Sequence, residues 1–396
     1  MKAAARDAGL FWLIAGCWVL QPLATDLYLA SLPHLGAYFR VTPALVQQTL
    51  TLFALGVAGA QLASGPLSDR YGRRPVLLAG ASIYVLASLA CAGAADMPTL
   101  LAARFAQAVG CCSVAVIARA VVRDLYPGSA GAHVVARSAS FLSLVLLATP
   151  IVGAWLQTQF GWRASFLLLA AAGSLVAVGA WLGFAETKPC RARTAAPLLR
   201  VVHDYAALLA APHFWAYALP GALSYAAVFL FISGAAFALI QVLGLPTEYF
   251  GYCYAGGVLG YVGGTHYCRR LLQRRGLSRA FSLGSALALA AGLIFAAGVA
   301  LGWRHWTSVV AAQFCVTFAH GINSPCAQAG AVAPFPEKAG AAAALLGCLT
   351  MLAAFAAGSL VGASHDGTLA PLSRLCAAVG LALFAAERLL APWRES

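Results

Sequence analysis

The chain has 396 residues, 62% of them hydrophobic and 9% charged, with a mean hydropathy of +0.82. That composition excludes a soluble globular domain, in which the apolar share lies near half. The formal net charge of +13 would suit a nucleic-acid binder, but an uneven placement of basic residues about a membrane accounts for it with no nucleic-acid partner.

A membrane helix needs roughly 20 mainly apolar residues. The apolar runs predict twelve, over 9–32, 43–64, 76–95, 98–122, 135–157, 164–185, 213–242, 247–268, 280–302, 306–329, 340–362 and 368–390. These runs are too long and continuous for the alternating strands of an outer-membrane barrel. The first follows Lys2 and Arg6 and continues past Leu32, too long for a signal sequence, so it reads as an uncleaved first helix. The 11 cysteines fall mostly inside predicted helices without metal-type spacing, and are read as small packing residues. No metal is expected.

In chain order, the first helix carries an acid in Thr25-Asp26-Leu27-Tyr28. The loop after the second helix is Gly65-Pro66-Leu67-Ser68-Asp69-Arg70-Tyr71-Gly72-Arg73-Arg74, a tight basic turn of the kind that stays cytoplasmic. The fourth helix holds Arg104 in mid-run and Arg119, Arg123 and Asp124 at its inner end. An ionisable group within a span costs at least ~2.5–3.5 kcal/mol, so each needs a reason. Counted from outer ends near Leu32 and Pro98, Asp26 and Arg104 each lie six positions in, roughly 9 Å at 1.5 Å per residue. The expectation is that both face a cavity at that level and pair there, the pair opening when Asp26 takes up a proton. The alternative is a static pair that fixes the first helix to the fourth. Asp69, Arg70, Arg73, Arg123 and Asp124 are expected to form a charge network that latches the cytoplasmic side, Gly65 and Gly72 belonging to the same gate. The fifth helix contains Pro150 and Gly153, a kink followed by a site of close crossing.

Residues 186–212 are polar, basic and proline-bearing. They divide the chain into a six-helix bundle over 1–185, a cytoplasmic linker over 186–212 and a second six-helix bundle over 213–396, a layout suited to alternating access. A basic loop at 263–275 mirrors the Gly65–Arg74 loop, and small residues four apart, such as Gly256, Gly260 and Gly264, allow close helix packing. In the second half no acid falls near mid-helix; aromatic and neutral polar residues appear instead. Tyr217, Tyr225, Phe229, Asn323 and Gln328, with Tyr28 from the first half, are the candidate wall of a cavity for lipophilic compounds, and Tyr252, Tyr254, Tyr261 and His320 lie on the same helices. The predicted cytoplasmic segments hold most of the arginines and lysines, which places both termini inside. No phosphate-cradling Gly-x-x-x-x-Gly-Lys-Ser/Thr motif occurs, so neither ATP nor another cofactor is expected. No nucleophile, acid–base pair or metal cluster at membrane depth argues for an enzyme.

The Gly65–Arg74 loop resembles the signature loop of the major facilitator superfamily. The stretch from Thr25 to Pro33, Arg104-x-x-Gln107-x-x-Gly110, Arg123-Asp124-Leu125-Tyr126, the Pro150 motif, Gly161-Trp162-Arg163 and the stretch from His213 to Gly234 resemble the drug:proton antiporters of its Bcr/CflA (bicyclomycin and chloramphenicol resistance) group. The resemblance implies an all-α major facilitator fold and proton-driven export of small lipophilic compounds across a bacterial inner membrane by a monomer, with Asp26 and Arg104 in proton coupling. Thr149 stands where antiporters of the group usually have glycine before the proline, which leaves proton-coupled uptake of a metabolite as the alternative. No second acid lies near Trp18 in the first helix, which favours neutral or zwitterionic cargo over doubly charged cations.

Overall fold

The structure is a computed structural model that describes residues 2–126, 129–187 and 198–394. Among these residues every regular element is helical. Helix α1 (Lys2–Asp26) continues through a tight turn at Leu29–Ser31 into Leu32–Phe39. It is followed by α2 (Pro43–Tyr71), α3 (Arg73–Ala92), α4 (Met97–Leu125), α5 (Ser129–Phe160) and α6 (Trp162–Gly183). The second half has α7 (Pro212–Ala236, widening at Phe237–Val242), α8 (247–275), α9 (277–300), α10 (Trp306–Val332), α11 (Ala339–Ser364) and α12 (Ala370–Leu390). Helices α8 and α9 form one continuous segment broken only at Gly276, whose φ of 75° suits a residue without a side chain. The long helices fall where the apolar runs predict them, and among the described residues ten are long and apolar enough to cross a membrane, with α8 and α9 counted as one.

Local chemistry sets the ends. Thr42 accepts from the Leu45 N–H ahead of Pro43, and Asp96 accepts from the Thr99 N–H at 2.8 Å ahead of Pro98, both side chains capping first turns. Those Thr99 donors hold the Asp96 carboxyl below the usual carboxylate range. Gly72 (φ 100°) turns α2 into α3, and Gly302 (φ 86°) separates α9 from α10.

Outward-facing residues such as Leu144, Leu175, Trp181 and Leu182 are each more than 60% exposed, a surface that only lipid would cover. The two halves meet along α2 against α11 and α5 against α8. Gly347, Gly358 and Gly362 of α11 lie against Gln61, Thr51 and Gln47 of α2.

One expectation needs correction. The basic segment 263–275 is a continuation of α8 rather than a loop, because nothing in it breaks the helix before Gly276. Within the expected linker, Leu198–Leu209 form a helix. It buries Leu208, donates from the Tyr205 hydroxyl to the Leu62 carbonyl at 3.2 Å, and pairs Asp204 with Lys338 at 3.0 Å. The basic, proline-bearing stretch 188–197 lies outside the described residues.

A buried ion pair went unread in the sequence. Beyond α12 the chain folds back so that Arg394 Nη1 meets Glu387 Oε1 at 2.7 Å, with both side chains at most 1% exposed. Ser282 of α9 donates to the same oxygen at 2.6 Å, and Arg394 also donates to the Ala216 carbonyl of α7. The ten described cysteines are free, and the described residues contain no metal-type cluster; Cys190 lies outside the described residues.

Candidate functional site: the central cavity and its charged groups

Asp26 is the last helical residue of α1 before the chain turns at Leu27–Tyr28. The turn is held by close neighbours. Gly153 of α5 packs on the Leu27 carbonyl, where a Cβ would collide, and Ser165 of α6 donates to that carbonyl at 3.4 Å. The Tyr28 hydroxyl bonds Thr49 of α2 at 2.9 Å. This break aims Asp26 at a cavity of about 390 Å³ between the two halves. Asp26 stands there opposite Tyr225 of α7 and Tyr254 of α8. It is 8% exposed, and no hydrogen bond or ion pair to its carboxylate occurs among the described residues.

Arg104 does not pair with Asp26, contrary to expectation. Its guanidinium is fully buried inside the first half, donating to the Ala24 carbonyl at 3.0 Å, the Thr49 carbonyl at 3.3 Å, the Tyr28 hydroxyl at 3.3 Å and Gln107 Oε1. The rings of Phe53, Tyr28 and Phe166 surround it, the nearest centroid 4.3 Å away. Depth was read correctly, since Arg104 touches the carbonyl two residues before Asp26. The two side chains, however, leave α1 in different directions. Arg104 ties α1 to α2 from behind, while Asp26 faces forward into the cavity.

Of the other cavity candidates, Tyr225 and Gln328 line it, as do Tyr254, Tyr261 and His320. His320 lies between the rings of Tyr225 and Tyr261 and bonds Ser224 at 3.0 Å. The remaining candidates sit elsewhere. Tyr28 packs inside the first half, Tyr217 stacks on Phe281 inside the second, Phe229 fills the α2–α11 seam near Gly358, and Asn323 is buried against Ser224 and Gly284. Each has the right residue type but turns away from the cavity, and Tyr252 is 63% exposed on the outer surface. Gln61 and Arg119 line the wall; the sequence reading left out the first and assigned the second to the end cluster.

A second chamber of about 380 Å³ lies toward the Gly65–Arg74 turn and shares Gln61, Arg119 and Ala343 with the first. On its wall Arg73, 3% exposed, bonds Asp69 at 2.9 Å, Asp124 at 3.0 Å and Ser68. The backbone N–H groups of Arg73 and Arg74, free at the start of α3, donate to the two Glu186 oxygens at 2.9 and 3.2 Å, as helix N-termini favour. Among the described residues the expected network thus gains Ser68 and Glu186 and includes neither Arg70 nor Arg123. Arg70 lies over Tyr71, and Arg123 points across the chamber toward Gly340 of α11. Gly65 and Asp69 line the same chamber.

Toward the start of α8, α5 packs directly on α8. A Cβ on Gly251 of α8 would lie 2.5 Å from the Pro150 carbonyl oxygen, so the two helices touch backbone to backbone. His34 bonds Thr247 beside them at 3.1 Å.

A family model described as Major Facilitator Superfamily matches residues 14–358. The chain is 27% identical over 354 residues to a bicyclomycin resistance protein homolog of Haemophilus influenzae, covering 89% of each chain. It is 28% identical over 336 residues to a chloramphenicol resistance protein of Pseudomonas aeruginosa, covering 84% of this chain and 78% of that one. Multidrug resistance protein D of Escherichia coli is 29% identical over 364 residues, with 87% and 86% covered. Among solved structures, a bacterial homolog of the human lysosomal transporter Spinster in an inward-facing, occupied conformation matches with a TM-score of 0.73, over 98% of this chain and 96% of that one. At 16% identity this last likeness concerns the fold.

Proposed function

The chain belongs to the Major Facilitator Superfamily, and on that premise we propose that it exports small lipophilic compounds in exchange for protons. The relatives bear the names of bicyclomycin, chloramphenicol and multidrug resistance, which supports drugs as the cargo. The observation that carries the reading is a carboxylate on the cavity wall with no hydrogen-bond or ion-pair partner among the described residues. Asp26 can accept or release a proton, or meet a cargo, without breaking a protein–protein bond. The work is transport rather than catalysis.

In this reading residues 1–185 and 213–396 rock against one another about the cavity, joined by 186–212. The Arg73-centred cluster holds the two ends of α2 and α3 to α4 and α6 as one unit. Arg104 fixes the α1 break behind Asp26 and acts through that carboxylate's position. Pro150 and Gly153 shape the contacts of α5 with α8 and α1. The basic turn and both termini face the cytoplasm, the membrane is the bacterial inner membrane, and one chain encloses the whole path.

The test is a drug-susceptibility panel in an efflux-deficient host, comparing the wild type with Asp26→Asn, alongside everted vesicles carrying a preformed pH gradient. Addition of a compound to which the protein gives resistance should collapse part of the gradient with the wild type and leave it intact with Asp26→Asn. Normal resistance and gradient collapse by the variant would end the proposal. Formation of a gradient by inward-driven substrate would favour the uptake direction instead.

A further inference from the structure

The central cavity has one carboxyl group and one guanidinium on its wall, Asp26 and Arg119. Arg119 lies fifteen residues beyond Arg104 on α4, about 22 Å farther along the helix. Since Arg104 marks the level of Asp26, the two groups stand at opposite ends of the space, Arg119 on the wall that the two chambers share.

The buried arginines Arg73, Arg104 and Arg394 are saturated. Arg73 holds two carboxylates, Arg394 holds Glu387, and Arg104 has carbonyls, a hydroxyl, an amide and three rings. Arg119 has no ion pair, hydrogen bond or ring contact among the described residues, and its side chain opens into the chambers. The acids of the second chamber are already engaged, Asp69 with Arg73 and Asp204 with Lys338. Near the inner end of α4 the Arg119 guanidinium is exposed to the chambers, with its donors open to a ligand. Its planar fork of donors matches one common group above others, a carboxylate held by two parallel hydrogen bonds.

We propose that Arg119 selects the cargo by binding the carboxylate of an organic anion or zwitterion at the wall that the chambers share, the lipophilic body of the cargo lying toward Tyr225, Tyr254 and Tyr261. This rests on the reading that the cavity carries the cargo. It adds a chemical class to it: aromatic acids and amphoteric compounds rank above their neutral esters.

The full chain, purified and reconstituted, is tested by equilibrium binding of nalidixic acid and of its methyl ester, which differ only at the carboxylate. The wild type should bind the acid about tenfold more tightly than the ester, the scale of one charge-assisted contact. In Arg119→Gln that ratio should fall to near one, and in Arg119→Lys to an intermediate value, since an ammonium keeps the charge but not the fork. A wild-type ratio near one, or a ratio unchanged in Arg119→Gln, overturns the proposal. So does a variant that weakens acid and ester together, which is what a purely structural Arg119 would give. If Arg119→Gln does not elute as a monodisperse protein, Arg119→Lys decides by the same ratio. Chloramphenicol, which has no carboxylate, separates this inference from the broader one. If it collapses the pH gradient while the acid shows no preference, export stands and the Arg119 assignment falls. If no compound moves protons while the Arg119-dependent ratio persists, the reverse holds.

Discussion

Replacing Glu387 by glutamine tests how the second half is held together. The carboxylate takes the Arg394 guanidinium at 2.7 Å and the Ser282 hydroxyl at 2.6 Å, and neither member of the ion pair is more than 1% exposed. Arg388, 3.6 Å from the other oxygen, has a side chain 61% exposed and contributes little. Glu387→Gln therefore leaves a buried guanidinium facing a neutral amide, a loss of about 3–5 kcal/mol. In the detergent-solubilised protein this should lower the thermal midpoint by roughly 5 °C or more. Arg394→Gln should cost a similar amount. Because each single variant strands the partner, the double variant should lose clearly less than the two losses added. Midpoints are read by light scattering and intrinsic fluorescence. A Glu387→Gln midpoint within a degree of wild type, or strictly additive losses, would refute the account of this cluster as one desolvated unit.

Gly153→Ala places a methyl group against the Leu27 carbonyl; overpacking of this kind costs about 1–3 kcal/mol, and the thermal midpoint should fall. An equal substitution at Gly59, which has nothing within 4 Å of the added atom, should leave the midpoint within a degree. Asp96→Ala removes the cap of α4. The folded-state carboxyl is held below its ordinary value by the Thr99 donors, so its stabilisation is present above the unfolded pKa, near 4, and disappears as pH falls through the folded value. The gap in midpoint between wild type and variant should thus stay constant from pH 8 to pH 5 and close at lower pH; a gap that widened on acidification would contradict this.

The crossings were legible because a bilayer demands a long apolar run for each, and the Gly65–Arg74 turn because glycine and charge stand out against such runs. The extra helix Leu198–Leu209 was not, since it is too short to span a bilayer, follows a basic, proline-bearing stretch, and packs on Leu62 and Lys338 only through long-range contacts. Charges were found by their cost in lipid, but their partners were not. Counting residues gives a side chain's depth along a helix; its direction around the axis depends on where the helix breaks. Asp26 and Arg104 share a level and point apart because α1 ends at Asp26. The same ambiguity put Tyr28, Tyr217, Phe229 and Asn323 on a wall they do not reach. Glu186 and Glu387 lie next to helix ends, where an acid is unremarkable, and only the folded chain brings them to Arg73 and Arg394.

The contact of Gly251 with Pro150 and Ile151 has a mechanical meaning. Two surfaces that meet as bare main chain can slide or part with few polar groups to rehydrate, the His34–Thr247 bond being the exception at the rim. Such a joint behaves like a pair of smooth plates rather than a lock. Its resistance to opening scales with the patch in register, so a single methyl inserted there would wedge it ajar long before it weakened either helix.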